Sequence, residues 1–364
     1  MTATAIAPDI AQSSSTTAGH LPKWAPWALL LGCFAVGGAV FAIANIGGDP
    51  ADFNIALALI VGMLLYMVMI FVISSVAESR RHATDRLMTA LVSTAFVIAL
   101  LPLVSLLYTV LINGLTRFDS EFFSFSMRNV VGEGGGAVHA IWGTVLITLG
   151  ATIISVPIGL MTSIYLVEYG EGRRLARGIT FLVDVMTGIP SIVAGLFIYS
   201  VFALLMGPGT RMGIMGSLAL SVLMIPVVVR GSEELLRIVP NELREAAYAL
   251  GVPKWLTIIK VVLPTAIAGI TTSIMLAISR VIGETAPLLL TVGIVPSLNL
   301  NMFSGQMATL PVFSYMQAKY PGIPADAFIE RAWAAALTLI VIVMVLNLLA
   351  RLIAKIFAPK TNGR

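Results

Sequence analysis

The sequence has little charge and almost no cysteine. Only 11% of its residues are charged and 58% are hydrophobic, whereas soluble domains carry roughly 25% charged residues. This composition excludes an ordinary soluble domain. The single cysteine, Cys33, excludes an intramolecular disulfide. Because Cys33 lies within an apolar run, we interpret it as a small packing residue.

The sequence also lacks a nucleotide-binding loop of the Walker type. Its glycine-rich stretch, Gly132–Gly136, is not followed by the Lys-Ser/Thr pair with which such a loop holds phosphates and magnesium. We therefore expect the chain not to hydrolyse ATP itself. We interpret it as a non-enzymatic protein and assign it no catalytic residue, cofactor or metal ion. If ATP drives its function, another subunit must hydrolyse the ATP.

Long apolar runs dominate the chain. They reach the length of about 20 residues that crosses a bilayer as a helix, and they are continuous rather than alternating, which favours helices over a membrane barrel. The expected fold class is an all-α polytopic membrane protein with eight spans. These spans are Ala25–Ile46, Phe53–Val76, Leu87–Ile112, Val138–Leu166, Ala176–Met206, Met212–Val229, Thr265–Val295 and Ala332–Phe357.

Lysine and arginine residues are unevenly distributed between the two sides that eight spans define. Short loops rich in these residues are usually cytoplasmic. With segment 231–264 inside, sixteen of the 22 Lys and Arg residues lie on that side, five lie on the other, and Arg280 lies within a span. We therefore expect both termini to be cytoplasmic. The net charge of +4 follows from this bias and does not require a nucleic-acid partner.

Segment 231–264 is the longest charged, helix-forming stretch between two spans. Pro240 can begin a helix, Glu242 and Glu245 lie where a helix favours carboxylates, and Gly251 suits the left-handed residue that ends one. The pattern predicts a short helix outside the bilayer. Such a helix either joins two spans or binds a partner.

The residue order in this segment resembles the signature loop of binding-protein-dependent ATP-binding-cassette (ABC) importer permeases. The matching residues are Glu245, Ala246 and Ala247, then Gly251 after three intervening residues, and an apolar stretch that closes on Pro264. In that family the loop forms a coupling helix that docks into a groove of the ATPase subunit. The resemblance implies that the two small alanine side chains permit close packing against this partner.

A second polar stretch lies inside the apolar run Thr265–Val295. Arg280 and Glu284 are four residues apart, so on one helix they would share a face and pair. Pro287 predicts a break or bend in this long run. A buried arginine is costly in lipid and should face a partner or a watery path. The pair either fixes helix packing or lines a translocation path in which Arg280 contacts an oxyanion.

This stretch resembles the Arg-x-x-Gly-Glu-Thr-Ala-Pro-Leu-Leu segment of phosphate ABC-transporter permeases of the PstA type, and less so their partner permease. Three further stretches, within 140–170, 187–195 and 225–247, resemble the same family, so the resemblance covers about residues 138–320. It implies the type I ABC importer permease fold, with a six-helix core made by the third to eighth spans and two additional N-terminal spans.

The resemblance also implies partners, a location and a path. The partners are a second permease subunit in a heterodimer, two copies of a phosphate-specific ATPase and an extracytoplasmic phosphate-binding protein, in a bacterial plasma (inner) membrane. Arg230, in a matching stretch, is either an anchor at the membrane boundary or an exit-side oxyanion contact. The external segments 113–137 and 296–331, with aromatic residues such as Phe122 and Phe125, are the expected contact surface for the binding protein.

The sequence divides into five segments on this interpretation. They are a disordered cytoplasmic tail 1–24, two additional spans and a loop 25–86, a first core helix and external loop 87–137, a permease domain 138–357 with its coupling loop 231–264, and a tail 358–364. Three alternatives stay open: a permease for sulfate or molybdate, a secondary phosphate transporter, and a phosphate sensor. No convincing inverted repeat, the frequent mark of secondary transporters, is visible.

Overall fold

The computed structural model describes residues 21–44 and 54–357. The expected tails, 1–24 and 358–364, lie outside the described residues except for 21–24. Throughout the described part, the regular secondary structure is helical. Seven helices are long and apolar enough to span a membrane, and a bent pair of helices brings the number to eight. The expected all-α class is therefore confirmed, and the expected eight spans correspond to counting this bent pair as one span.

The helices alternate with short connections along the chain. They are α1 (Ala25–Ala44), α2 (Ile55–Ala77), α3 (Arg80–Leu115), α4 (Ser120–Ser124), α5 (Val138–Ile164), α6 (Arg174–Thr187), α7 (Ser191–Met206), α8 (Gly213–Ile238), α9 (Asn241–Ala249), α10 (Lys254–Thr257), α11 (Leu263–Val281), α12 (Ala286–Thr291), α13 (Leu310–Lys319) and α14 (Ala325–Phe357). Two wider π-helical turns adjoin them, Tyr165–Tyr169 after α5 and Ile258–Val262 between α10 and α11.

The chain forms two compact units, which divide within α3 between Leu106 and Leu107. In the first unit, α1 and α2 pack closely through glycine. A Cβ atom added at Gly37 would lie 2.8 Å from the carbonyl oxygen of Ala58, so the two backbones approach each other as small residues allow in membranes. Cys33 is buried, which agrees with its interpretation as a packing residue.

The carboxylate of Glu78 stabilises the connection between α2 and α3. The Glu78 side chain is only 2% exposed; it accepts hydrogen bonds from Arg86 (2.7 and 2.9 Å), from Ser74 (2.7 Å) and from the N–H of Leu21 (2.8 Å). The Arg86 bonds, and to a lesser degree those from Ser74 and Leu21, lower the pKa of Glu78 from 4.5 to about 2, although burial opposes the shift. The first unit therefore depends on an ionised Glu78.

We predict that Glu78→Gln destabilises the first unit in a pH-dependent way. A carboxylate with a lowered pKa stabilises the folded state above pH 4.5, and this contribution is lost as the pH falls toward 2. The variant should expose Cys33 to 4,4′-dithiodipyridine at a lower temperature than the unsubstituted chain at pH 7, and the difference should narrow between pH 5 and 3. Asp85→Asn, at an exposed position on α3, is the control; a difference independent of pH contradicts the prediction.

In the second unit, α8 is the central helix. In its most apolar stretch 61% of the residues are buried, against at most 33% in any other candidate span among the described residues. Ser217 and Ser221 of α8 donate hydrogen bonds to the carbonyl oxygens of Ile147 (3.0 Å) and Ala151 (3.4 Å) of α5. Because both numbers of each pair increase together, α5 and α8 run parallel.

The structure corrects three of the expected span boundaries. The run Ala176–Met206 is not one helix, because α6 and α7 meet at an angle of 107°. Pro190 explains the break, since proline disfavours helical geometry in the residue before it. The run Met212–Val229 continues as α8 to Ile238, so the first residues of segment 231–264 belong to the same helix. The run Thr265–Val295 is interrupted after Val281 and becomes helical again only in the short α12.

Candidate functional site

Helix α9 forms as predicted outside the long apolar helices. It begins after Pro240 and is followed at its C-terminus by Gly251, whose φ is +77°. The N–H groups of Gly251 and Val252 donate hydrogen bonds to the carbonyl oxygens of Tyr248 (2.9 Å) and Ala247 (3.1 Å). This pair of bonds is the Schellman motif, in which glycine is favoured because its left-handed conformation has no Cβ penalty. The predicted helix and its end are confirmed.

Not all of the residues expected to contact a partner on α9 are exposed. Glu245, Ala246 and Gly251 are exposed, but Ala247 is only 7% exposed because it packs within this chain. Ala247 therefore presents little of its surface to a partner, and the coupling role expected for both alanines stays a prediction. Sequence reasoning missed Leu250, which is 83% exposed. Its signal was available, since a large apolar residue directly precedes the glycine that ends the helix.

Arg244 forms an ion pair that links α9 to the π-helical turn after α5. Its Nε and Nη2 atoms donate hydrogen bonds to one carboxylate oxygen of Glu168 at 3.0 and 2.9 Å, and the two side chains are 12% and 5% exposed. Arg244 also donates to the carbonyl oxygens of Leu236 (3.0 Å) and Val239 (2.6 Å) at the end of α8. Because 76 residues separate the two partners, no local pattern could predict the pair.

Lys254, at the start of α10, adds a second contact to the same place. Its ammonium donates a hydrogen bond to the carbonyl oxygen of Glu168 and lies 5.0 Å from the centre of the Tyr169 ring. The wider π-helical turn after α5 thus receives side chains from both α9 and α10. A polar cleft of about 680 Å³ borders this turn, α6, α8 and α9.

Arg230 lies inside α8, which remains helical for eight more residues to Ile238. Its guanidinium donates hydrogen bonds to Asp184 of α6 and to Glu233 at 3.0 Å. Glu233 also accepts a hydrogen bond from Arg237 at 2.8 Å. Two carboxylates therefore balance the charge of Arg230 and connect α6 to α8. An oxyanion would have to replace one of these carboxylates.

Arg280 and Glu284 do not share a helix face. Helix α11 ends at Val281, and the N–H of Glu284 donates to the carbonyl oxygen of Val281 (3.1 Å) in a turn. No ion pair within 4.0 Å joins the two side chains, both of which the structure describes. The helical pairing expected from their spacing is wrong, because the chain breaks around Gly283 ahead of Pro287. The expected break itself is confirmed.

Arg280 lies close to the middle of the helical layer. Gly231 of α8 faces Ser273 of α11, where an added Cβ would lie 1.8 Å from the hydroxyl oxygen, and Gly269 faces Leu235. These antiparallel pairs place Arg280 level with Met224, near the midpoint of α8. The side chain of Arg280 is exposed in this chain, and no described side chain pairs with it. An uncompensated arginine at this depth requires a partner or water.

Helix α12, which follows the break after α11, packs against α7. A Cβ atom added at Gly195 would lie 2.6 Å from the Cα of Pro287. Two of the stretches that carried the sequence resemblance, 187–195 and 279–291, are therefore in direct contact. This contact fixes the start of α12 against α7, directly after the non-helical residues 282–285.

We predict that Gly195→Ala destabilises this region by about 1–3 kcal/mol, the usual cost of overpacking. The added methyl group would collide with backbone rather than with a flexible side chain. The midpoint of thermal unfolding in detergent should fall, while Gly178→Ala on α6, where an added Cβ meets nothing within 4 Å, should not change it. Equal midpoints for both variants would contradict this packing.

At the opposite end of α8, a glycine-rich loop surrounds a buried arginine. Arg331 is fully buried and donates hydrogen bonds to the carbonyl oxygens of Gly132 and Gly134, each at 2.8 Å. Of the two aromatic residues named for this surface, Phe122 is fully buried and Phe125 is exposed. Sequence reasoning missed the exposed residues Val131 and Ile323 beside this loop.

Comparisons with known proteins agree with this geometry. Residues 155–363 match the family model of the binding-protein-dependent transport system inner membrane component. The phosphate transport system permease protein PstA 1 of Mycobacterium tuberculosis is 48% identical over 279 residues, covering 75% of this chain and 88% of the relative. The PstA protein of Yersinia pestis is 37% identical over 289 residues, covering 78% and 94%.

A solved structure supports the fold. The inward-facing MetNI methionine ABC transporter matches with a TM-score of 0.51 at 20% identity, over 61% of this chain and 96% of the other. At this identity the match concerns the fold alone, which is that of an ABC importer permease. From the family model and from relatives that are covered almost completely, we conclude that the chain belongs to the binding-protein-dependent transport system inner membrane components and, among them, to the PstA permeases.

Proposed function

We propose that this protein is the membrane-spanning permease subunit of an ATP-driven importer of inorganic phosphate. The observation that carries the proposal is the exposed Arg280 near mid-depth, directly before a helix break. Non-helical backbone at membrane depth is tolerated where it is buried in protein or lines a water-filled cavity. The names of the PstA relatives supply the substrate.

Arginine suits this substrate for a physical reason. Its planar guanidinium donates two parallel hydrogen bonds to a phosphate and stays charged at every physiological pH. Arg280 would meet phosphate in the path, and Glu284 would favour its release by repulsion. A path must bind weakly enough to let the ion leave. We therefore assign high affinity to a separate extracytoplasmic binding protein.

Arg230 is a second candidate contact, on the side of the path toward α9. Its guanidinium is shared by Asp184 and Glu233, so phosphate would compete with these carboxylates. We propose that Arg230 contacts phosphate only when α6 and α8 separate during transport. In the state described, its ion pair with Asp184 links α6 to α8.

The partners follow from the family and from the exposed face of α9. ABC importers of this family work with an ATPase and a substrate-binding protein. We propose that Glu245, Ala246 and Gly251, with the exposed Leu250, dock into the ATPase. Ala247 supports α9 from inside. In the complete assembly, this chain would pair with a second permease subunit and with two copies of the ATPase.

The proposed organisation retains the expected segments and a bacterial inner membrane. Residues 25–86 add two spans and a loop, 87–137 provide the first core helix and the external loop, and 138–357 form the permease domain with coupling loop 231–264. Both termini would be cytoplasmic. ATP binding would draw the two ATPases together, and movement of α9 would open the permease pair outward; hydrolysis would reset it.

The test is co-purification followed by an ATPase assay. The tagged chain should retain an ATPase and a second permease, and in proteoliposomes the phosphate-loaded binding protein should raise ATP hydrolysis severalfold. Stimulation by a sulfate- or molybdate-loaded binding protein, without stimulation by the phosphate-loaded one, would reassign the substrate. Phosphate transport by this chain in vesicles that contain no ATPase would overturn the ATP-driven mechanism.

A further inference from the structure

We propose that the ion pair between Glu168 and Arg244 transmits the movement of α9 to α5. The inference rests on the proposed function, because it assumes that an ATPase moves α9. It adds a positioning residue on each of two helices, neither of which touches the substrate. The strength of this pair would set how much phosphate is moved for each ATP hydrolysed.

Arg244 connects three helical elements: α9, the end of α8 and the π-helical turn after α5. Arg244 belongs to α9, its carboxylate partner Glu168 belongs to the turn that ends α5, and its two carbonyl acceptors, Leu236 and Val239, lie at the end of α8. Glu168 and Arg244 are both largely shielded from water, so the attraction between them is screened less than that of a surface pair. A displacement of α9 must therefore pull on Glu168 or break this pair.

The turn that carries Glu168 is suited to receive such a displacement. It is a π-helical turn, Tyr165–Tyr169, and π-helical turns are rare and frequently lie at functional sites. Lys254, at the start of α10, contacts the same turn by donating a hydrogen bond to the carbonyl oxygen of Glu168. One contact comes from within α9 and the other from the start of α10, and both are made to Glu168 in the turn that follows α5.

A displacement of this turn would reach the core along α5. Helix α5 packs along α8 through the two serine hydrogen bonds at Ile147 and Ala151. Farther toward Glu168, an added Cβ at Gly159 would lie 2.7 Å from the Val228 side chain. Because α5 and α8 are in close contact along their length, they would move together. Helix α8 in turn packs against the part of α11 that carries Arg280.

A pair in the same cleft provides a matched control. Arg237 and Glu233 also form an ion pair at 2.8 Å, but both belong to α8, and the Arg237 side chain is 62% exposed. Breaking this pair removes one basic charge from the same cleft without disconnecting two helices. Arg237→Gln should therefore leave transport unchanged, whereas loss of the Glu168–Arg244 pair should not.

The experiment compares Glu168→Gln and Arg237→Gln in the complete complex in proteoliposomes. Three quantities are measured: the amount of ATPase retained, the ATPase rate with phosphate-loaded binding protein, and the phosphate taken up per ATP hydrolysed. For Glu168→Gln we expect ATPase retention within twofold of the unsubstituted complex and at least a tenfold fall in phosphate per ATP. Arg237→Gln should stay within twofold in all three.

Further variants keep the test decisive if Glu168→Gln does not fold. Glu168→Asp and Arg244→Lys keep the charges but change the geometry, and each should lower phosphate per ATP severalfold with the ATPase retained. Unchanged phosphate per ATP in all three Glu168 and Arg244 variants, or a fall only in proportion to lost ATPase, would overturn the inference. Absence of phosphate stimulation in the unsubstituted complex would instead refute the proposed function.

Discussion

Arg280→Ala is expected to reduce phosphate uptake about 100-fold while the permease still assembles with its partners. The side chain is exposed and has no ion-pair partner among the described residues, so its loss leaves no carboxylate of this chain unpaired. Two charge-assisted hydrogen bonds to an oxyanion are worth about 1.5 kcal/mol each, which together corresponds to roughly a factor of 100. Uptake of radiolabelled phosphate into proteoliposomes measures this loss.

Two further variants separate the role of Arg280 in the path from a role in packing. Arg280→Lys keeps the charge but loses the planar fork, so uptake should lie between that of the unsubstituted protein and that of Arg280→Ala. Arg351→Ala, at another exposed arginine in a long helix, should leave uptake unchanged. If Arg280→Ala fails to co-purify with the second permease, the residue supports helix packing and not the path.

Hydropathy was sufficient to predict the number of spans, because apolar length is the main requirement for crossing a bilayer. It could not predict where the runs break. In the run 176–206 the decisive residues are Gly188 and Pro190, which interrupt an otherwise apolar sequence. In the run 265–295 the break falls ahead of Pro287 and was expected, but its effect on the spacing of Arg280 and Glu284 was not.

The candidate site divides in a similar way between local and long-range features. Helix α9 and its end at Gly251 were predictable, because capping is determined by a few neighbouring residues. The Glu168–Arg244 pair was not predictable, since it joins residues 76 positions apart. Arg230 shows both kinds of feature: its partner Glu233 lies three residues along the same helix, whereas Asp184 comes from α6 through packing and could not be predicted from local sequence.

Gly251→Asp is expected to leave the protein folded in the membrane but to separate it from the ATPase. Gly251 has a φ of +77° and open space around an added Cβ. Aspartate tolerates the left-handed conformation better than most residues, so the strain should cost only about 1 kcal/mol. A carboxylate beside the exposed Leu250 would instead be buried without a partner in the docked complex. That burial costs about 2–5 kcal/mol, so docking is affected more than folding.

The amount of ATPase that co-purifies with the tagged chain measures this effect, and it should fall at least tenfold. Gly209→Asp is the matched control, because Gly209 has a φ of +84° and equally open space but lies in the connection between α7 and α8, at the opposite end of α8. This control carries the same backbone strain without altering α9, and it should retain the ATPase. If both variants lose the ATPase equally, backbone strain explains the result; if neither does, α9 does not dock through Gly251.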